Sequence, residues 1–400
     1  MVNPQMVYIA IDGVAPRSKQ VQQRLRRYKA AKEREEKGGI FDSNCISPGT
    51  KFMIKLSGYI KSFISRELKG RKVVYSSHEE PGEGEHCILQ YIYNMENAEN
   101  YQHIIYGLDA DLIMLSMATR LKNIYLLREI QQFEKSNEEE GFHYLSIPKL
   151  KDAFILEAEN EYDIKLKNID NVIDDFIFLC FFLGNDFLPH LKAIDIYNEG
   201  IETLMKEYYK LLKKTNQDEN DHLILNGRTE INMSFLRKFM VTLANNEEKY
   251  IEYNISKERK KKRFDPIRYL DRNWKRRYYN YFFRTDTSRM IKYSCDNYWR
   301  TIIWTMNYYF NKCPSWSHYY YFRAAPCLTD MTIFVHEYDL NDIKFAPTEP
   351  NSPHQQLMMI LPPNSSNLLP TNLSNLMKNE LCHYYPINFM LEKVDKKVDW

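Results

Sequence analysis

No stretch of this 400-residue chain is apolar for long enough to cross a bilayer. The longest apolar run, around Phe176–Leu183, falls well short of the roughly 20 residues that a spanning helix needs. The charged-then-apolar pattern of a signal peptide is missing from the N-terminus. Seven cysteines are scattered without a CxxC or Cys/His ligand spacing, which excludes a disulfide framework and a zinc module and predicts reduced, mostly buried thiols. An excess of one charge sign is absent too. With 55 Lys+Arg against 53 Asp+Glu, the net charge of +2 excludes a surface that binds polyanions all over. No internal repeat occurs. What remains is a globular chain of 48.0 kDa with a mean hydropathy of −0.56, expected to be intracellular and long enough for two or three domains.

What the chain does have in quantity is aromatic residues: 30 Tyr, 21 Phe and 5 Trp. Two origins fit, an AT-rich coding bias or selection for base-stacking surfaces. The opening run Met6–Ile11 is apolar and delivers Asp12-Gly13, which reads as a buried strand carrying an acid at its C-terminal end. A helix is predicted from Ser18 to about Lys37, with Val21, Leu25 and Tyr28 as a narrow apolar stripe. Lys72–Ser76, Ile104–Leu108 and Asn123–Leu127 have strand length, and helix-like stretches such as Glu85–Tyr93 separate them. This alternation predicts an α/β fold with a mainly parallel sheet flanked by helices. After about residue 147 the chain turns helical, with amphipathic stretches at Ile201–Leu212 and Met233–Asn246. Lys213–Asp221 and Ser256–Arg263 read as charged surface loops, and the region from Asp271 is rich in Trp and Tyr.

The acids carry the chemistry. Asp12 ends a strand, Glu83 and Glu85 lie in Pro81–His86, Asp109 and Asp111 are expected to end a strand, and Asp186 lies in Gly184–Pro189. Acids at the carboxyl ends of parallel strands share the crevice where open sheets bind ligands. On a strand, positions i and i+2 share a face, which would aim Asp109 and Asp111 together. Crowded carboxylates raise one another's pKa unless a counter-charge is present. Oxygen ligands with no His or Cys set suit Mg²⁺ or Mn²⁺, and such a cluster suits a two-metal phosphoryl-transfer site. Asp174 and Asp175 read as capping and helix-start residues.

A basic helix face follows the first acid. Lys19, Gln23, Arg26 and Arg27 fall at i, i+4, i+7 and i+8, three cations and an amide able to hold a terminal phosphate. A solvated face paired with Glu33, Glu35 and Glu36 is the plainer alternative. Trp299 and Trp304 are expected in the core, whereas Trp316, between Pro, Ser and His residues, is the candidate for stacking on a base. The run Lys257–Arg263 reads as a basic loop.

In order along the chain, Ile11–Arg17 with Gln22–Arg27, Ser47–Met53, Pro81–His86, Tyr106–Met114, Leu183–His190, Asn273–Tyr279, Pro314–Trp316 and Gln355–Ser366 resemble the successive blocks of the XRN family of 5′→3′ exoribonucleases. The resemblance implies a nuclease core of the flap-endonuclease or PIN-like type with a helical, aromatic-rich C-terminal region. It implies hydrolysis of single-stranded RNA bearing a 5′-monophosphate, with no membrane partner. Asp12, Glu83, Glu85, Asp109, Asp111 and Asp186 would hold two Mg²⁺ or Mn²⁺ ions and carry catalysis; Lys19, Gln23, Arg26 and Arg27 would bind the 5′-phosphate, and Trp316 the RNA. It further implies a nuclease core over 1–205, a helical and charged connection over 206–270, and a second region over 271–400 packing against the core.

Against the family pattern, a leading segment with a further metal-binding Asp and a stacking His is expected to be missing. Lys397–Trp400 falls inside a family block, and His318 and Phe322–Ala324 replace its usual residues. The alternatives are therefore a catalytically impaired RNA-binding remnant and a structure-specific DNA flap nuclease.

Overall fold

The computed structural model describes residues 4–130, 141–258 and 265–387. Most of the basic run Lys257–Arg263, and all of Lys397–Trp400, lie outside them. The order of elements is β1 (Met6–Ala10), α1 (Arg17–Lys37), α2 (Lys51–Glu67), β2 (Lys72–Ser76), α3 (Gly84–Tyr93), β3 (His103–Tyr106), α4 (Asp111–Ala118), β4 (Ile124–Glu129) and β5 (Phe142–Ser146). Next come α5 (Ile147–Tyr162), α6 (Ile169–Cys180), α7 (Gly200–Leu212), β6 (Ile224–Leu225), β7 (Glu230–Ile231), α8 (Met233–Ala244) and α9 (Glu247–Glu258). The series ends with α10 (Trp274–Phe283), α11 (Ser288–Phe310), α12 (Leu328–Glu337), α13 (Pro353–Ile360) and α14 (Thr371–Lys378). The chain is thus mainly helical, with small parallel and mixed sheets.

Two compact units emerge: one from Met1–Ala98, Ser315–Tyr319 and Pro347–Trp400, the other from Glu99–Pro314 and Tyr320–Ala346. In the first unit β1 pairs parallel with β2, from Met6 opposite Lys72 to Ala10 opposite Ser76. Helix α13 starts with Ser352 and Gln355 in a capping box and Pro353 in its first turn, an arrangement that satisfies the orphan N–H groups of a helix start. Leu357, Ile360, Leu361, Leu369, Met377 and Tyr385 form a core between α13 and α14. The expected stripe on α1 does not form: Val21 and Leu25 are exposed and only Tyr28 is buried. The reason is that α1 packs through polar groups instead. Gln20 is buried, with Nε2 donating to the Ala15 carbonyl (2.7 Å), and Arg24 donates to the carbonyls of Met359 (2.6 Å) and Tyr384 (2.7 Å).

In the second unit β3 pairs parallel with β4, and β5 returns antiparallel to β4. Helix α11 is the aromatic spine, with Trp299 and Trp304 fully buried as expected. Phe182 meets Trp299 edge-on (5.7 Å between centroids), Phe187 meets Trp304 (5.2 Å), and Tyr308 stacks on Trp304 (4.9 Å). Much of the aromatic load is therefore core.

Within the Asn273–Tyr279 block, the Trp274 indole donates to Glu248 (3.0 Å), Lys275 pairs with buried Glu247 (2.9 Å), and Tyr278 donates to the Ala325 carbonyl (2.6 Å). Tyr279 donates to Asp330 (2.7 Å) and accepts the Cys327 N–H (3.0 Å). This block ties the start of α12 to α9 and α10.

Asp174 and Asp175 are not caps. Asn168 caps α6 by accepting the N–H groups of Asp170 and Asn171, and the two acids sit one and a half turns further on, fully buried. Asp174 pairs with Arg228 (2.8 Å) and with Arg120. Asp175 accepts from Tyr208 Oη (2.7 Å) and from the N–H groups of Leu223 (3.0 Å) and Ile224 (2.8 Å), fastening β6 to α6. Both carboxylates are consumed by structure.

Candidate active site

In the first unit, two loops at the carboxyl ends of β1 and β2 interlock. Gly13 N–H donates to the Gly82 carbonyl (2.8 Å) and Gly82 N–H returns to the Val14 carbonyl (2.9 Å). A β-carbon on Gly13 would sit 1.6 Å from the Glu80 carbonyl oxygen, so only glycine admits this approach. The interlock brings Asp12 against the start of α3, where its Oδ1 accepts the Gly84 N–H (2.7 Å). Glu83 precedes α3 and Glu85 lies in its first turn. One ligand atom from each of Glu83, Glu85 and His86 can be drawn within 4.8 Å of the others. Lys19, on α1, forms an ion pair with Glu83. Asp12 is exposed by area yet ringed by protein. That partial desolvation raises its carboxyl above the usual range, and Glu83 adds to the effect, while the Gly84 N–H, Lys19 and Arg27 oppose it. Burial, reinforced by Lys19, pushes the His86 imidazole down to about 3, so it stands neutral as a potential ligand.

The candidate phosphate face divides in character. Lys19 meets Glu83, and Arg26 is exposed. Arg27 donates to Ser47 Oγ (3.1 Å) and the Ile46 carbonyl (3.0 Å), and burial, with Arg26 next, lowers its pKa from the ordinary value. The Gln23 Oε1 is buried without a hydrogen-bond partner among the described residues. The start of α1 is capped by no side chain, since Pro16 occupies the N-cap. Instead the Arg17 N–H donates to the Trp316 carbonyl (2.9 Å), Ser18 Oγ donates to the His318 carbonyl (3.0 Å), and the Arg17 guanidinium lies over the Tyr319 ring (4.5 Å). Trp316 itself is half-buried. Behind the helix start, fully buried Gln356 accepts the Ala15 N–H (2.8 Å).

The second unit holds the remaining acids. Asp109 follows β3 in a loop, and Asp111 is the first residue of α4, so the shared strand face expected for them does not exist. A turn brings their carboxylates within 4.8 Å of each other instead. Asp186 is half-buried in the loop after α6. There Asn185 Oδ1 accepts the N–H groups of Phe187 (2.9 Å) and Leu188 (3.0 Å), and Gly184 has φ +84°. In the same loop a β-carbon on Gly184 would come within 2.7 Å of the His190 nitrogen.

The residues present fit hard divalent cations: carboxylate oxygens dominate, the one added imidazole is neutral, and a lysine already acts as counter-charge to Glu83. His86 escapes the carboxylate reading because it sits beside the acids in sequence as an ordinary helix residue. Ser18, Gln20 and Gln356 escape for another reason, since polar contacts across 300 to 341 residues leave no mark in one sequence.

Comparison with known proteins bears on the whole chain. The family model described as XRN 5′-3′ exonuclease N-terminus matches residues 1–130, and the Xrn1 helical domain matches 166–265 and 251–400, more than half of the chain. The 5′-3′ exoribonuclease 1 of Homo sapiens is 30% identical over all of this chain and 28% of its own length. That of Saccharomyces cerevisiae is 28% identical over 98% of this chain and 36% of its own, and the 5′-3′ exoribonuclease 2 homolog of Drosophila melanogaster is 28% identical over 99% and 58%. The chain thus spans well under two thirds of the length of these relatives. Its blocks, their order and the two family models agree, and the chain belongs to the XRN family, with that family's PIN-like nuclease fold at its N-terminal part.

Proposed function

We propose that the chain is the nuclease part of a 5′→3′ exoribonuclease that hydrolyses single-stranded RNA with a 5′-monophosphate to mononucleotides. Asp12, Glu83, Glu85, Asp109, Asp111 and Asp186 would hold two Mg²⁺ or Mn²⁺ ions, with 1–205 as the nuclease core, 206–270 as its connection and 271–400 as a supporting region. The ions, when bound, would activate water and offset charge on the reacting phosphate. Lys19, Gln23, Arg26 and Arg27 would bind the terminal phosphate, and Trp316 would stack on a base. The Gly84 N–H would hold the Asp12 carboxylate and Lys19 that of Glu83, and the closed loop around Gly13 and Gly82 would keep the two acids from drifting apart.

The observation that carries this reading is the Lys19–Glu83 pair, because it puts the first cation of the phosphate face on a candidate metal ligand. A terminal phosphate held there would present its neighbouring phosphodiester to the acids. The test supplies the full chain with Mg²⁺ or Mn²⁺ and compares RNA with a 5′-monophosphate, RNA with a 5′-hydroxyl, and flap DNA. The first should be shortened to mononucleotides and the others spared, and Asp109→Ala should slow turnover by at least ~100-fold. Equal loss of both RNA ends would sink the phosphate assignment, and preferential cutting of the flap would favour a DNA nuclease.

A further inference from the structure

Trp316 sits in a five-residue excursion, Ser315–Tyr319, that joins the first unit from a distant part of the chain. A short loop bearing a large ring presents that ring in one direction only if the residues on both sides of it are held. Here one hydroxyl reaches both, Ser317 through its backbone N–H and Ser315 through its side chain. Thr348 Oγ1 accepts the Ser317 N–H (3.0 Å) and lies 3.2 Å from Ser315 Oγ, with which it can share a proton. Ser315 is buried, and Ser315 and Ser317 face each other at 3.4 Å across the loop. The Trp316 carbonyl between them is taken by the Arg17 N–H. The loop is therefore clipped before, at and after Trp316. The middle clip is the first turn of α1, which carries Lys19 at its third position.

We propose that Thr348 is a positioning residue for RNA: its hydroxyl holds Ser317 by the backbone N–H and Ser315 by the side chain, so that the Trp316 ring between them stands at a set place relative to the phosphate face of α1. A nucleotide's base lies within a limited distance of its 5′-phosphate, so a ring held at a set distance from the cations of α1 can stack on the base whose phosphate they bind. Neither Arg17 nor Ser18 can substitute, because both hold the loop through its carbonyls and leave the Ser317 N–H to Thr348. The inference rests on the stacking role proposed for Trp316.

The full chain is assayed in chelator, so that RNA is bound and not cut, with a 5′-monophosphate RNA whose first base is 2-aminopurine. Stacking quenches that base. Thr348→Val keeps shape and removes the hydroxyl. It should weaken binding about three- to tenfold and lose most of the quench, with its thermal midpoint within ~2 °C of the parent. Thr348→Ala should match it, which covers a folding fault peculiar to valine, and Thr348→Ser should restore both affinity and quench. Parental quench and affinity in the Val and Ala variants, with both lost in Trp316→Ala, would overturn the role of Thr348 alone. Parental behaviour of Trp316→Ala would remove the stacking role and this inference with it. A serine variant as impaired as valine would also refute the assignment, since the hydroxyl would then be irrelevant.

Discussion

At Asp12 two demands conflict. The metal role proposed for its carboxylate requires a charge, yet its surroundings raise its pKa, with desolvation first and Glu83 adding. Between the ordinary Asp value and this raised one, the folded chain binds more protons than the unfolded chain, so stability falls as pH rises through that window. Above the window the penalty is constant. Asp12→Asn can keep an acceptor for the Gly84 N–H and carries no charge to desolvate. In chelator at pH 7 its thermal midpoint should therefore match or slightly exceed that of the parent, by up to ~2 °C given how open the site is. The advantage should vanish as pH drops below the ordinary Asp range, which melting curves across pH would read. A midpoint lowered at every pH would mean that the charge stabilises the metal-free fold. The placement of this residue just past β1 was legible from the apolar run before it, whereas the metal role proposed for it was not, since an Asp after a strand is more often a turn residue or a cap. Its neighbour His86 was not, because its neutrality comes from burial, which a sequence does not display.

Helix α6 shows how an element can mislead at the level of residue type. Adjacent acids ahead of an apolar run resemble a helix start, but Asn168 already caps this helix and its periodicity runs straight through Asp174 and Asp175. Their partners come from the segment around β6 and from Arg120, and nothing local announces them. Asp175→Ala would strand two buried N–H groups and leave the Tyr208 hydroxyl with His222 alone, with an expected loss of about 3–5 kcal/mol in urea unfolding. Asp175→Asn should lose less, since its amide oxygen still accepts. An alanine variant as stable as the parent would show that water replaces these bonds.

The strands β1, β2, β3 and β4 were legible to within two residues at each end. Pairing was legible only as a tendency, because nothing in the residue pattern of β5 itself marks its antiparallel pairing with β4. Helix α1 was placed within a residue of its start, but its buried face was misjudged because Ser18, Gln20 and Ala31, not Val21 and Leu25, join Tyr28 in filling it.

Across the whole molecule, near-neutral charge sets how RNA affinity should respond to salt. With 55 basic and 53 acidic residues, and with Lys19, Arg26 and Arg27 proposed to meet on one terminal phosphate of about two charges, about one to two counterions should be released. For a single strand this predicts that log K falls with log salt at a slope of about −1. Binding of 5′-monophosphate RNA in chelator from low to moderate salt measures it, and a slope beyond about −5 would reveal a second basic surface. Scale also governs what had to be learned from the fold. The first unit is assembled from three separate stretches, and the start of α1 is completed by Trp316 and Gln356, the latter 341 residues from its partner Ala15. During synthesis, then, a ribosome that has made the acids and the basic helix has not yet made their supports. Until residue 356 has emerged, the Ala15 N–H lacks its Gln356 acceptor, so the contacts that complete the start of α1 form late, after most of the chain has been made.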